Sequence, residues 1–333
     1  MGIRSIFNKM SPSQIIVSYY FFAATISTIL FSLPIALQDG VHLPLIDALF
    51  LAVSAISVTG LSVVDITETF STTGYFIMMF VLQFGGIGVM TLSTFVWLVF
   101  RKRIGFKKRI LIMTDQNQVT FSGLVMMLKQ VLILFLIVEA IGALVLWIYL
   151  IQYFPTVSEA FVQAVFMSVS ATTNAGFDIV GNSLIPFADD YFIQFVNIIL
   201  IVFGSIGYAV LIEVKAFLTR KPTQSAYQFS LYTKLTTFTF FALIVVGTVL
   251  ILVLEYNHFF VGKSWDNSFF YALFQSVTTR NAGLATMDVS QFTNPTLFVM
   301  CILMFIGASP SSVGGGIRTT TFAINILFLY HYA

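Results

Sequence analysis

Five stretches of the chain carry no charged side chain, and each is long enough to cross a lipid bilayer. They are residues 10–38, 69–100, 191–212, 235–254 and 289–317. A helix needs about 20 consecutive apolar residues to span the hydrocarbon core of a membrane. The pattern therefore predicts an all-α membrane protein with several spans.

Three shorter apolar segments lie between these stretches and share one plan. Each starts with Ala-x-Phe, passes a Ser or Thr, and ends in a turn at Gly60, Gly176 or Gly283. With about a dozen residues, each segment is too short to cross a membrane. We expect a short helix that enters the membrane, turns and leaves on the same side. The recurrence predicts helix–pore-loop–helix units at residues 1–105, 106–222 and 223–333.

Composition and charge give the orientation. Only 9% of the residues are charged and 58% are hydrophobic, whereas soluble domains carry about 25% charged residues. Lys and Arg cluster at residues 4–9, 101–109 and 215–234, and such clusters mark cytoplasmic segments. The N-terminus is therefore expected in the cytoplasm of a multi-pass protein, and the short segments enter from outside.

The three turns indicate a cation path if they meet on one axis. Backbone carbonyls of such turns can replace the water shell of a cation. Glycine permits backbone torsions that a side chain blocks. The negative C-terminal ends of the short helices would point at the same place and favour a cation over an anion.

On these motifs the chain resembles the Trk/Ktr/HKT superfamily of potassium transporters, and most closely its Ktr-type ion-translocating membrane subunit. Ser-Val-Thr-Gly-Leu at 57–61, Asn-Ala-Gly-Phe at 174–177 and Thr-Arg-Asn-Ala-Gly-Leu at 279–284 resemble the first three filters of that family. The resemblance implies repeated units around a pseudo-fourfold pore with one filter glycine each. Three of the four repeats are in this chain, and the fourth is expected beyond it.

The resemblance assigns two groups of residues. The selectivity filter, with K⁺ at its carbonyls, comprises Val58, Thr59, Gly60, Asn174, Ala175, Gly176, Asn281, Ala282 and Gly283. The gate is the glycine-rich loop at residues 307–316, with Gly307, Ser309, Pro310, Ser311, Ser312, Gly314, Gly315 and Gly316.

The glycine-rich loop also has a physical argument of its own. Pro310 removes a backbone donor, and three consecutive glycines each cost a helix about 1 kcal/mol relative to Ala. The helix expected over residues 295–332 must break there. We favour a mobile plug below the filter over a simple packing kink. Shorter glycine patches at 85–88 and 204–207 are interpreted as sites of close helix packing, with a widening of the cavity wall as the less favoured alternative.

Several charged residues lie in apolar surroundings. Glu139 sits within the apolar stretch 131–153, and such a carboxylate usually has a partner; a structural role is favoured over an ion site. Arg280 precedes the third filter turn and Arg318 follows the glycine-rich loop. We expect Arg280 to brace the pore helices, while the role of Arg318 stays open. One acidic residue follows each filter: Asp65, Asp178 and Asp288. These residues either gather cations at the outer entrance or are simply solvated residues of the loops.

The predicted function is uptake of K⁺, with Na⁺ as a second candidate ion, across the plasma membrane. A secondary carrier of a small solute is the alternative, but its units would be inverted. An enzyme is not expected, because the three histidines are scattered and no catalytic motif is present. The resemblance implies contact with membrane lipid, a homodimer, and a cytosolic nucleotide-binding regulatory ring that docks on 101–109 and 215–221. The basic runs are interpreted as markers of the cytoplasmic side, so no nucleic-acid partner is expected. No covalently bound cofactor is expected either.

Overall fold

The computed structural model describes residues 10–88, 124–220 and 227–332, and within these ranges the fold is helical. One isolated strand-like bridge joins Leu37 and Phe70 in the described part of the chain. The basic run at 101–109 and the boundaries between the expected units, near residues 105 and 222, lie outside the described residues. So do the basic residues of the N-terminus, Arg4 and Lys9.

The helices follow the apolar pattern of the sequence. In chain order they are α1 (Pro12–Phe31), α2 (Leu45–Ile56), α3 (Ile66–Thr69), α4 (Thr72–Ile87), α5 (Leu124–Leu150), α6 (Val157–Thr173), α7 (Tyr191–Ser205), α8 (Tyr208–Thr219), α9 (Leu231–Glu255), α10 (Trp265–Thr278), α11 (Asn294–Phe305) and α12 (Thr319–Tyr332). Single 3₁₀ turns lie at Pro34–Ala36, Ile185–Phe187 and Val289–Gln291. Serine and threonine side chains cap many N-termini by accepting a backbone N–H bond, as Ser71 does for α4, Thr156 for α6 and Ser264 for α10.

Three helices of the described residues are long and apolar enough to cross a membrane. They are Ser13–Phe31, Leu128–Leu150 and Leu231–Glu255. The chain bends by 107° between helices α7 and α8. If this bent pair is counted as one span, it is a fourth candidate membrane span among the described residues. The short helices α2 and α11 are apolar but below spanning length.

The chain divides into two compact units, Met1–Ile137 and Val138–Ala333. In the first unit, the rings of Phe31 and Phe70 pack edge to face with centroids 5.6 Å apart. Helix α4 starts close to the 3₁₀ turn, because a Cβ at Gly74 would lie only 2.1 Å from the carbonyl oxygen of Ala36. The short helix α2 contacts both α1 and α4.

The second unit is built around the buried short helices α6 and α10. Its core includes Leu146, Met167, Ile201, Phe240 and Phe274, which come from the helices α5, α6, α7, α9 and α10. Within a membrane, van der Waals packing of such side chains and hydrogen bonds between helices stabilise the arrangement. The core therefore fixes α6 and α10 against the long helices that precede them.

In the second compact unit, a serine of α6 and a serine of α10 each form a hydrogen bond to the long helix that precedes them. Ser168 Oγ donates to the carbonyl of Glu139 at 2.8 Å, and Ser276 Oγ donates to the carbonyl of Ile244 at 2.7 Å. One turn further along each long helix is a glycine, Gly142 or Gly247 in turn. A Cβ at these glycines would approach the serine Oγ atoms to 2.7 and 2.4 Å. The glycines therefore make room for the hydrogen bonds.

Candidate ion pathway

The three predicted filter turns share one backbone conformation. In each turn a residue in the left-handed region is followed two positions later by a glycine in the same region. The φ values are Val58 +55° and Gly60 +79°, Asn174 +52° and Gly176 +72°, and Asn281 +82° and Gly283 +74°. Asparagine and glycine adopt such torsions readily, whereas a β-branched residue does so rarely. Val58 is therefore the strained member of the set.

A serine or threonine of the preceding short helix closes every turn. The backbone N–H groups of Thr59, Ala175 and Ala282 donate to the carbonyls of Ser54, Ser170 and Thr278, each at 2.9 Å. Just past the predicted filter glycines, the Ser54 hydroxyl accepts a bond from the N–H of Leu61. The hydroxyls of Ser170 and Thr278 instead donate to the carbonyls of Phe177 and Leu284. Each turn is thus fastened at both ends to the short helix that carries it.

The third turn reaches this geometry with one residue fewer. Ser54 and Ser170 precede their glycines by six positions, but Thr278 precedes Gly283 by five. The closing bond consequently spans four residues at Thr278 and five in the other two turns. Similar φ values at the glycines despite this difference indicate that the turn conformation itself is what the three segments have in common.

The second and third turns lie in contact within the second unit. A Cβ at Gly176 would be 3.1 Å from Gly283 Cα and 3.0 Å from the carbonyl oxygen of Ala282. Past the glycines, Leu184 N–H donates to Ala285 O at 2.9 Å. The structure therefore brings two predicted filter segments together, while the turn at Gly60 belongs to the first unit.

The side chains of these turns differ in exposure. Asn174 is buried, and its amide lies where a Cβ on Gly204 would meet it at 2.9 Å. Asn281 is half-buried and faces the glycine-rich loop, since its Cβ would be 3.1 Å from a Cβ on Gly314. Thr59 is exposed, and its hydroxyl bonds that of Ser57 at 2.6 Å.

The patch at 204–207 is a sharp bend as well as a site of close packing. A Cβ at Gly204 would lie 2.1 Å from Thr172 O, so the expected close approach is present. The patch also bends the chain, because α7 ends at Ser205 and α8 starts at Tyr208 after a 107° turn. Gly207 provides the turn with a φ of +101°.

The glycine-rich loop is seated on this α7–α8 bend. Ser309 N–H donates to Ser205 O at 3.0 Å, and Tyr208 N–H donates to Ser311 O at 2.6 Å. Val313 N–H donates to Gly204 O at 3.3 Å. The Pro310 carbonyl also accepts a bond from the hydroxyl of Tyr232 on α9 at 3.1 Å. The expected break over residues 307–316 extends in the structure to 306–318, between α11 and α12.

The loop is also closed on itself. Ala308 N–H donates to Gly315 O at 3.0 Å, and a Cβ at Gly307 would lie 2.0 Å from that oxygen. Arg318 donates to the carbonyls of Ser309 and Gly314. Ser312 and Thr319 both bond Ser309, at its carbonyl and its hydroxyl in turn. The ends of the loop therefore meet, and Gly316 exits with a φ of +79°.

Arg280 lies fully buried between the third filter turn and α11. Its Nη1 and Nη2 atoms donate to the carbonyls of Ile306 at 2.5 Å and Leu303 at 2.7 Å. These carbonyls belong to the last turn of a helix, where no intrahelical partner remains. Arg280 therefore caps the C-terminus of α11. Glu139 is buried in α5, and its backbone carbonyl accepts the bond from Ser168 described above.

A model of the TrkH family, described as a cation transport protein, matches residues 4–332. The chain belongs to the TrkH family. The resemblance drawn from the filter motifs is thereby confirmed.

Two curated relatives of this TrkH-family chain are Ktr proteins of Bacillus subtilis (strain 168). It is 58% identical over 324 residues to Ktr system potassium uptake protein D, covering 97% of this chain and 72% of the relative. It is 32% identical to Ktr system potassium uptake protein B, covering 97% of this chain and 71% of the relative.

A solved structure has the same fold. The crystal structure of the potassium transporter TrkH from Vibrio parahaemolyticus matches with a TM-score of 0.70 at 21% identity, over 97% of this chain. The match covers 61% of that solved chain, so this sequence spans less than two thirds of its length.

Acidic residues follow each filter turn of the TrkH-family chain. Asp65 Oδ1 accepts bonds from the Thr67 hydroxyl and N–H at 2.6 and 2.8 Å, which hold the pKa of Asp65 below its ordinary value. Hydrogen bonds from Ser290 likewise lower the pKa of Asp288. Asp178 Oδ2 accepts from Gly181 N–H at 2.8 Å. Each carboxylate thus holds the loop that leaves its filter.

Sequence reasoning missed the seat of the loop and its partner Tyr232. The sequence contains one signal for the bend on which the loop lies. Gly204 and Gly207 have the same spacing as Gly85 and Gly88, which indicates that a helix ends near a glycine in both places. Gly88 indeed follows the last residue of α4 with a φ of +88°. Tyr232 carries no local signal, because its partner is 78 residues away.

Proposed function

We propose that this chain is the ion-translocating part of a potassium uptake system in the plasma membrane. Membership of a cation transport family supports this. So do two relatives whose names describe potassium uptake. The apolar spans place the chain in a membrane. Its relatives are transporters, which argues against an enzyme.

The single observation that carries the mechanism is the recurrence of the filter turn. The same pair of left-handed torsions occurs at three places, each at the C-terminal end of a short helix. In our proposal the units 1–105, 106–222 and 223–333 surround one pore, and a fourth repeat completes a pseudo-fourfold ring. Carbonyl oxygens of the filter residues replace the water of K⁺, and the helix C-termini favour positive charge.

Selectivity follows from the shape of the turn. One glycine per unit gives a shorter filter than a TVGYG loop, so we expect fewer rigid sites and moderate discrimination between K⁺ and Na⁺. Na⁺ is therefore a second candidate ion. The guanidinium of buried Arg280 donates its hydrogen bonds to the carbonyls at the end of α11. Its charge is therefore directed at α11 rather than at the ion.

The glycine-rich loop is proposed as the gate. It lies beside the third filter turn, since a Cβ on Gly314 would be 3.6 Å from the carbonyl oxygen of Arg280. Its seat consists of a few hydrogen bonds of about 1 kcal/mol each. A total binding free energy of a few kcal/mol is small enough for the loop to occupy both a closed and an open position.

Orientation and partners complete the proposal. The N-terminus is cytoplasmic, and the short helices enter from outside. The protein works as a homodimer with a cytosolic nucleotide-binding regulatory ring. Residues 215–220, at the end of α8, are the described part of the surface proposed to dock that ring.

The test is ⁸⁶Rb⁺ uptake by cells that lack other potassium uptake systems and express the protein. Gly283→Ala should abolish uptake or its preference for Rb⁺ over Na⁺, because the new Cβ would meet the second filter turn and the φ is +74°. Gly262→Ala is the matched control: its φ is +80°, but nothing lies within 4 Å of the new Cβ. Equal uptake and preference in the two variants would contradict the filter assignment.

A further inference from the structure

A cavity of about 660 Å³ lies at the C-terminal end of α9, away from the filter turns; the inference drawn from it rests on the orientation proposed above, which puts this end of α9 outside. Its lining includes Val249, Leu252 and Val253 in the last turns of α9, and Tyr256, Lys263 and Trp265 just beyond the helix. This volume falls within the range of about 300–1,000 Å³ that is typical of ligand sites. Nothing in the proposed ion pathway uses it.

The cavity has an apolar part and a polar end. Positions 249, 252, 253 and 256 recur at helical spacing, so they form one face of α9. Val253 and Tyr256 are 67% and 69% exposed. On a spanning helix such exposed apolar surface meets hydrocarbon chains.

The polar end carries one positive charge. Among the described residues that line the cavity, Lys263 is the charged one. Its Nζ lies over the ring of Phe259 at 4.4 Å from the centroid, which holds the ammonium group at the rim of the cavity. Trp265 is 67% exposed beside it, and exposed Trp and Tyr are typical of the membrane–water interface.

We propose that this cavity binds an anionic phospholipid of the outer leaflet. The acyl chain lies along Val249, Leu252 and Val253, and the phosphate lies at Lys263. Charge complementarity selects an anionic headgroup over a zwitterionic one, because the lining supplies a cation and no described acid. Trp265 and Tyr256 mark the depth at which the headgroup sits.

Trp265 allows a direct test in the full-length protein. Substituting the other two tryptophans, Trp97→Phe and Trp147→Phe, leaves Trp265 as the sole indole. Its fluorescence is measured in vesicles containing phosphatidylglycerol or phosphatidylcholine with brominated acyl chains, which quench an adjacent indole. We expect an apparent affinity about fivefold higher for phosphatidylglycerol, the equivalent of about 1 kcal/mol for one lysine at a membrane surface.

Variants of Lys263 separate charge from packing. Lys263→Gln should remove the preference but keep quenching by both lipids, and Lys263→Arg should restore it. Lys234→Gln, at the opposite end of α9, should leave the preference unchanged. Equal quenching by both lipids in the Lys263 protein, or a preference that survives Lys263→Gln, would overturn the proposal. Absence of quenching by either lipid would also overturn it and assign the cavity to a protein surface, such as a second copy of the chain.

Discussion

The helix pairs α7–α8 and α11–α12 are both separated by a break, but the free carbonyls at the two breaks are satisfied differently. The α7–α8 break occupies two residues, and the α11–α12 break runs from 306 to 318. At the short break, the carbonyls of Gly204 and Ser205 accept backbone N–H groups of the glycine-rich loop. At the long break, the carbonyls of Leu303 and Ile306 accept the guanidinium of Arg280.

This difference distinguishes a movable contact from a fixed one. Neutral backbone bonds contribute about 1 kcal/mol each, whereas bonds to a charged group contribute about 1.5–3 kcal/mol. The hydrogen bonds that hold the glycine-rich loop on the α7–α8 bend are therefore weaker than the bonds that hold the end of α11. A segment held in this way can leave the α7–α8 bend without unravelling α11.

Deleting residues 309–314 should have the largest effect on transport. The deletion removes all the backbone bonds to the α7–α8 bend, worth about 3 kcal/mol together, so the closed state loses its hold. We expect cation flux into proteoliposomes to rise about 100-fold. Replacing the segment by a Gly/Ser stretch of equal length is the control for chain length. Unchanged flux after the deletion would show that the loop does not gate.

Arg280→Gln should cost the most stability. The variant leaves the carbonyls of Leu303 and Ile306 without their charged donor in a buried site, and we expect a loss of about 3 kcal/mol in the free energy of unfolding. Thermal unfolding in detergent measures this. Arg220→Gln at the end of α8 is exposed and should change stability by less than about 0.5 kcal/mol. A similar small effect at both positions would refute the cap.

Gly207→Ala should release the loop from its seat. The new Cβ would lie 2.6 Å from the carbonyl oxygen of Pro310, on a backbone with φ of +101°. We expect a cost of about 2 kcal/mol, and faster reaction of Ser312→Cys with a water-soluble thiol reagent in a Cys301→Ser background. Gly262→Ala carries the torsional strain without the clash. Equal reaction rates in the two variants would argue against the seat.

Tyr232→Phe should give the smallest change. It removes the hydroxyl bond to Pro310 O, which contributes about 1 kcal/mol, and should raise flux about fivefold. Tyr330→Phe on α12, where the ring is 85% exposed, is the control and should leave flux as it is. A drop in flux in Tyr232→Phe would mean that this bond supports the open state instead.

Local features of the sequence sufficed to predict the short helices and their glycine turns. Chain length relative to a bilayer and the torsional freedom of glycine depend only on nearby residues. The same holds for the break at Pro310, although its full extent was underestimated. By contrast, the left-handed torsion of Val58 opposes the preference of a β-branched residue, so only the surrounding structure could impose it.

By itself, the sequence determined that the chain is a helical membrane protein, and where its short helices end in glycine turns. Tertiary structure decided which groups satisfy the ends of the broken helices. Arg280 reaches carbonyls 23 and 26 residues away, and Tyr232 reaches one 78 residues away. Such pairs leave no local pattern. They form because a carbonyl that leaves water must find a donor, and packing alone determines which donor is within reach.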